Sequence, residues 1–298
     1  MKLFRLTLPL VLLLAAACGL NNTMYNARKY FKAAQERPLN ANGRPNNQAV
    51  QEYTKAIQKC GIILSRKNRS RITDDALFLM ARALYYKGNS AFQAKDQFEA
   101  LIKGFADSRF YGESHIYLAR VYREINRPDD ARRLLEQFIL DPDQFDLHPR
   151  ALLTLAEFDI ADLDYAKAQF WLQRIIDNYP KSKEFREAYS LFGKNYYIQK
   201  DYQASLREYE KIAENRLIPK LQRLEALYYV ALNQFQLGAY NDSWKNVQRL
   251  LNDEARPEQL SRIRVLKARL QFARGDLEGS VAEIGDISKS YPRTQSSA

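Results

Sequence analysis

The amino-acid sequence predicts an all-α chain built as a solenoid of helix–turn–helix units. Three observations carry that expectation. Small residues recur inside apolar helical runs, at Ala81, Ala119, Ala156, Gly193, Ala231 and Ala268, with spacings of 38, 37, 37, 38 and 37. A second helical run follows each, with its own small residue at Ala94, Ala131, Ala168, Ser205, Ser243 and Ser280. Between the two runs stand turn signals, of which Gly88, Gly238 and Gly275 suit a helix end with positive φ. A fixed period of this length is the mark of a stacked repeat. The small residues have a physical task. They let paired helices approach closely, and a large side chain there overpacks the interface at a cost of ~1–3 kcal/mol.

Composition agrees. Of 298 residues, 46% are apolar, enough to bury a core, and 11 Gly with 10 Pro exclude a low-complexity or collagenous chain. The first element is a targeting segment, residues 1–17. Lys2 and Arg5 form a basic start, and "LTLPLVLLLAAA" is an apolar stretch too short to span a membrane. Ala15, Ala16 and Ala17 lead into Cys18. The arrangement resembles a bacterial lipoprotein signal, in which the cysteine is acylated, although Leu14 stands four residues before Cys18 where that family prefers three. An ordinary secretory signal cut at the same bond is the other reading. With Gly19 following, the resemblance implies lipid anchoring at Cys18 to the outer membrane, facing the periplasm.

Residues 18–72 read as a degenerate first unit. "MYNARKYFKAAQE" is one amphipathic helix and "QAVQEYTKAIQKCGIIL" another, with Ala49, Tyr53 and Ala56 at second-helix spacing. The insertion "RPLNANGRPNN" between them is a loop by its turn residues, either a tolerated surface insertion or a contact loop. Cys60 has no partner if Cys18 carries lipid, and reads as a small buried hydrophobe. From residue 73 to 298 six full units follow. The phrases "FADS", "YPKS" and "YPRT" separate units. Proline stops one helix, and the Ser or Thr is placed to cap the next.

The units resemble the tetratricopeptide repeat (TPR), best seen in "LFGKNYYIQKDYQASLREYEKI" and "LYYVALNQFQLGAYNDSWKNVQRLL". The period is three to four residues longer than the usual 34, and the inter-repeat phrases resemble those of envelope TPR proteins of the BamD and CpoB types. The resemblance implies a right-handed α-solenoid whose first helices line a concave groove. In that register the groove carries Phe78, Arg82 and Tyr85, then Ile116, Arg120 and Arg123, then Leu153, Glu157 and Ile160. It continues with Lys194 and Tyr197, then Tyr228, Leu232 and Phe235, then Arg269 and Phe272. Such a surface suits a peptide with apolar anchors and acidic groups. Alternatively the aromatic residues only pack against neighbouring first helices. The chain closes with "YPRTQSSA", where the pattern expects another helix. Two readings stay open there, a continuation of the chain or a partner that covers the last pair.

Charge is uneven. Residues 19–72 hold 11 Lys and Arg against 2 Asp and Glu, whereas residues 73–298 hold 33 of each. The basic stretch next to Cys18, with Lys29, Lys32, Lys55, Lys59, Arg66, Lys67, Arg69 and Arg71, fits an anionic membrane surface, a solvated face or an acidic protein. The neutral array has no basic stripe for nucleic acid. Asp159, Asp162 and Asp164 read as solvated acids of a turn, because no Gly-centred metal loop surrounds them. His115 and His148 are too far apart for a metal pair, and no phosphate loop or nucleophile motif occurs. The expected function is therefore non-catalytic, without cofactor, small-molecule substrate or nucleic-acid partner. It is recognition or scaffolding of protein partners, in outer-membrane protein assembly or in another envelope process such as polysaccharide export, secretion or cell division.

Overall fold

Each helical run of the sequence closes into a helix where its apolar positions recur every three to four residues and so share one face. The computed structural model describes residues 21–65, 72–252 and 257–290. Within them lie α1 (residues 21–35), α2 (Asn47–Leu64), α3 (Thr73–Lys87), α4 (Ala91–Gly104), α5 (Tyr111–Glu124) and α6 (Pro128–Phe138). A 3-10 helix, Pro142–Leu147, precedes α7 (His148–Ala161). Then come α8 (Tyr165–Asn178), α9 (Phe185–Ile198), α10 (Tyr202–Glu214), α11 (Lys220–Gln236), α12 (Tyr240–Leu251), α13 (Pro257–Ala273) and α14 (Leu277–Ser290). Among the described residues the only β feature is one bridge, Leu39 to Pro45. The signal segment, Cys18, Arg66, Lys67, Arg69, Arg71 and the final "YPRTQSSA" lie outside the described residues.

The chain is all-α, a succession of TPR-like pairs: a first pair α1/α2 and six further pairs from α3/α4 to α13/α14. From α2 to α6 and from α8 to α14 each helix packs on its neighbour in sequence, and α3 also touches α5, as α11 touches α13. Contacts are therefore local, as expected of a stacked array. The chain divides into two compact units, one up to Thr154 and one from Leu155, with the division inside α7. In the first unit, one core joins α1, α2 and α3 through Met24, Phe31, Tyr53, Ala56, Cys60, Leu79 and Ala83. That packing runs across position 72, where the sequence places the start of the regular array. A second core sets Phe78, Phe98, Leu101 and Tyr117 between α3, α4 and α5. In the second unit, Tyr209, Ile212, Leu227, Val230, Val247, Leu250, Leu266 and Leu270 tie α10 to α13.

All the small residues of the repeat are buried. Gly193 is the tightest case. A Cβ built there would lie 3.0 Å from the ring of Tyr209, so any side chain larger than hydrogen would require that ring to shift by a few tenths of an ångström. Ser205 and Ser243 fill the small-residue sites of second helices with a hydroxyl that is satisfied internally. Ser205 Oγ accepts from Asn233 Nδ2 at 2.9 Å, and Ser243 Oγ donates to the Ala231 carbonyl at 2.7 Å. Cys60 is free and buried, and burial pushes its thiol up to about 12.

The turns inside the units follow one rule. A left-handed residue recurs at Asn89, Asn126, Leu163, Lys200, Gly238 and Gly275, the same period as the small residues. In the last five of these turns the next N–H donates back five residues, Arg127 to Tyr122, Asp164 to Asp159, Asp201 to Tyr196, Ala239 to Gln234 and Asp276 to Gln271, at 2.8–3.0 Å; in the first, Gly88 is left-handed as well and its own N–H donates to the Tyr85 carbonyl at 3.2 Å. The five-residue bond is the Schellman closure of a helix end. In three turns the acid that makes this bond also starts the next helix. Asp164, Asp201 and Asp276 accept from the N–H groups of Lys167, Ala204 and Gly279 at 3.2, 3.0 and 2.9 Å.

Some expectations are corrected. The three glycines do take positive φ, but the same conformation is imposed on Asn126, Leu163 and Lys200, because the packing of the pair dictates the turn whatever residue fills it. Asp159 is not a solvated turn acid. It is buried in α7 and accepts from Trp171 Nε1 at 2.9 Å. The inter-repeat serines do not cap the following helices: Ser108 Oγ accepts from Phe110 N–H, one residue before α5, and Ser182 Oγ makes no hydrogen bond. The insertion, by contrast, is a loop as its turn residues predict, and within 36–46 Asn40 Oδ1 accepts from the N–H groups of Asn42 and Arg44 at 3.0 and 2.9 Å.

Leu163 is 69% exposed and holds φ at 63°. A left-handed L-residue costs ~1–2 kcal/mol, and glycine gives back part of that through the freedom of its unfolded chain. Leu163→Gly is therefore expected to stabilise the protein by ~0.5–1 kcal/mol. A chemical melt that moves to lower denaturant contradicts this account of the turn.

Candidate functional site

The surface of interest is the face that each first helix turns toward the first helix of the next unit. Its side chains repeat with the units. In the first unit, Arg150 on α7 donates to Glu113 on α5 at 2.9 Å and stands over the Tyr117 ring at 5.9 Å. In the second, Arg262 on α13 donates to Glu225 on α11 at 3.0 Å and covers the rings of Tyr228 and Tyr229 at 4.5 and 5.9 Å. Both ion pairs join residues one repeat apart. The cations therefore brace consecutive first helices by charge and by stacking together. Burial works against the charged form of Arg262, but Glu225 and the two tyrosine hydroxyls outweigh it and hold its pKa above the ordinary value.

The groove residues expected from sequence fall into three groups. Phe78 is corrected: it is 3% exposed, lies in the core and stacks on Phe110 at 4.4 Å. Ile116, Leu153 and Leu232 are also buried. On a first helix wedged between two neighbours, the apolar positions of that register turn inward. Arg82, Tyr85, Arg120, Arg123, Tyr197, Tyr228 and Phe235 are half-buried and engaged with the protein. Arg82 lies 4.9–6.0 Å from the rings of Phe31, Phe78, Tyr86 and Tyr117. Arg120 donates to Thr154 Oγ1 at 3.1 Å, and Tyr197 OH accepts from Gln236 at 3.1 Å. Lys194, Arg269 and Phe272 are exposed, with Arg269 over the Phe235 ring at 4.5 Å. Glu157 and Ile160 are half-buried on α7.

A cleft that sequence reasoning did not single out opens between α9, α10 and α11. Its volume is about 560 Å³. Phe185, Tyr189, Ile212 and Ile218 supply apolar surface, and Arg186, Lys211, Glu187 and Glu225 supply charge. Arg186 and Ser190 lie three and four residues apart in step with Lys194 and Tyr197, so the cleft sits at the N-terminal end of the same face of α9. Burial pushes the Tyr189 hydroxyl up to about 12, with Glu208 adding to the shift. No sequence signal marks this site, because Ile218 belongs to an inter-helix loop and reaches the cleft only through the path of that loop.

The basic first unit is partly self-neutralised. Arg28 pairs with Asp75 at 2.8 Å and Arg37 with Glu52 at 2.6 Å. Lys29 and Lys55 are exposed, Lys55 standing over Tyr30 at 5.6 Å. Lys32 lies 3.8 Å from Glu36, and Lys59 is half-buried. Among the described residues no group of three or more His, Cys, Asp or Glu is arranged to hold a metal. No helix among them is long and apolar enough to cross a membrane.

Loss of one brace tests the stacking account. Arg262→Met keeps the apolar stem and removes the charge and the plane. The pair is about one-third exposed, so the expected cost is moderate, ~1–2 kcal/mol in a urea melt. A melt equal to the parent's means that the guanidinium contributes nothing to the stack.

Comparison with known proteins bears on the same units. The sequence model of the tetratricopeptide repeat matches residues 75–108 and 113–143, which cover α3/α4 and α5/α6. No curated protein matches the sequence. Several solved structures share the fold at low identity. PilF of Pseudomonas aeruginosa is 16% identical with a TM-score of 0.52, over 75% of this chain and 94% of that one. PilW, a type IV pilus biogenesis factor, is 12% identical with a TM-score of 0.54, over 76% and 98%. The C-terminal part of a TPR repeat-containing protein from Cytophaga hutchinsonii is 12% identical with a TM-score of 0.60, over 92% and 97%. The match to the tetratricopeptide repeat is thus confined to the first two regular units, and helix pairs of similar build run on from there to Ser290.

Proposed function

We propose that the chain is a non-catalytic scaffold that recognises an extended or helical segment of protein partners on its first-helix faces. The observation that carries this reading is the cleft beside α9, where apolar and charged side chains meet at the end of the face that also holds Lys194 and Tyr197. Apolar walls with a few charged groups suit a side-chain anchor flanked by polar contacts. Arg82, Tyr85, Arg120, Arg123, Tyr228, Phe235, Arg269 and Phe272 extend the candidate surface along the other first helices. Most of these already stack or hydrogen-bond within the protein, which leaves them pre-organised for a ligand.

The setting follows from the N-terminal segment. In this reading Cys18 carries acyl chains, the protein is tethered to the outer membrane, and the array faces the periplasm. The basic residues Lys29, Lys32, Lys55, Lys59, Arg66, Lys67, Arg69 and Arg71 then meet the anionic leaflet and orient the first pair. Outer-membrane protein assembly of the BamD type is the process favoured by the resemblance of the inter-repeat phrases. A second reading, another envelope assembly process, draws on the fold shared with PilF and with PilW, the pilus biogenesis factor.

Two measurements test this. A peptide array probed with the purified protein is expected to return a consensus with an apolar anchor, and Tyr189→Ala or the exposed Arg186→Glu is expected to weaken its binding about tenfold, as loss of an interface anchor does. Unchanged affinity in both variants moves recognition away from the cleft. For the tether, Cys18→Ser is expected to abolish acyl labelling and release the protein from the membrane fraction. A variant that stays membrane-bound with no acyl chain overturns the anchor.

A further inference from the structure

On the other side of α11 lies a cationic site with no role in the reading above. Arg223, Leu227 and Val230 occur at helical spacing on one face, and Tyr228, Leu232 and Phe235 on another. The five residues from Arg223 to Tyr228 amount to about 140° of rotation about the helix axis. The two faces therefore look in different directions. On the Arg223 side, α10, α11 and α12 enclose a cleft of about 190 Å³ lined by Lys220, Arg223, Arg249, Ala213, Leu224 and Leu227. Among the described residues, two arginines and a lysine but no carboxylate line it. A wider cleft of about 390 Å³ adjoins and shares Arg223 and Arg249 as a wall, and only there do Glu210 and Glu214 appear, together with Arg216.

Arg223 is the informative residue. Its Nε is shut off from solvent and makes no hydrogen bond. Its side chain forms no ion pair with any described residue, and neither does that of Arg249. A guanidinium N–H removed from water and given no acceptor is an unfavourable state unless a ligand supplies the acceptor. The arginine fork and a second arginine around one small space match a tetrahedral oxyanion, whose several oxygens can be shared between them. A single peptide carboxylate has two oxygens and one charge, and is shared less well between two guanidinium groups. Glu210 and Glu214 offset part of the positive charge of the wider cleft, which leaves the narrower one the more favourable for an anion.

We propose that the cleft between α10, α11 and α12 binds a phosphate group, held by Arg223 and Arg249. The group is presented either as free phosphate or as a phospholipid head group. Neither source depends on the peptide-recognition reading, since the site is on another face of α11.

The test uses the full chain in a neutral detergent. It is titrated with inorganic phosphate, with short-chain phosphatidylglycerol and with short-chain phosphatidylcholine, followed by calorimetry and by the arginine Nε–H resonances. The expected result is saturable binding of phosphate or of phosphatidylglycerol, weakened by salt, with a shift of the Arg223 Nε–H signal. Arg223→Gln and Arg249→Gln are each expected to weaken it about tenfold or more, the loss of one charge-assisted contact. Should Arg223→Gln fail to fold, by circular dichroism, Arg249→Gln decides. Equal affinity for the two anions assigns the site to free phosphate. A preference of about tenfold or more for phosphatidylglycerol, with little binding of phosphatidylcholine, assigns it to the lipid. Saturation by none of the probes, or affinity unchanged in the folded variants, overturns the proposal.

Discussion

The close approach of two helices at a small residue is the constraint on which the rest depends. At each crossing an Ala, Gly or Ser lets one backbone settle against the next helix. Gly193 against the Tyr209 ring shows how little room remains. Once that distance is set, the turn between the helices has few solutions. The chain takes one left-handed residue and a back-donated N–H in unit after unit, and does so even with Leu163 or Lys200 at the position. Local strain at the turn is the cost of the tight crossing, and it is small beside the apolar surface that the crossing buries.

The same geometry generates the surface. Because units follow one another at a near-constant period, a side chain on one first helix meets the equivalent region of the next. Arg150 with Glu113 and Arg262 with Glu225 are two instances of one contact. Cations over tyrosines brace the array while keeping polar groups at its face. A scaffold of this kind presents rigid, pre-organised side chains rather than mobile ones, which lowers the ordering cost of binding a flexible segment. The opposite face of α11 shows that a helix between two neighbours can carry two unlike surfaces, an aromatic one and a cationic one, about 140° apart.

Much of this was legible in the residues. The periodic small residues foretold both the pairing of helices and its register, because close packing restricts residue size directly and leaves a trace in the sequence. Cys60 among apolar neighbours reads as buried for the same reason. What stayed hidden depended on partners distant along the chain. Phe78 looks like a groove aromatic from its spacing, yet Phe110 stacks on it from the start of the next unit. Asp159 reads as a turn acid, yet Trp171, on the following helix, gives it a buried hydrogen bond.

The sequence by itself determined the class of fold, the period of the units, the identity of the crossing residues and the basic character of the first pair, since each is set by residue size, helix periodicity or charge count. Only the tertiary structure decided which cations face a ring or a carboxylate, which face of α11 holds a guanidinium with no ion pair among the described residues, and where loops and helix ends leave a cleft. Those properties arise from the path of the chain between units. No local pattern encodes that path, because it is the sum of packing contacts among side chains that lie a full repeat apart.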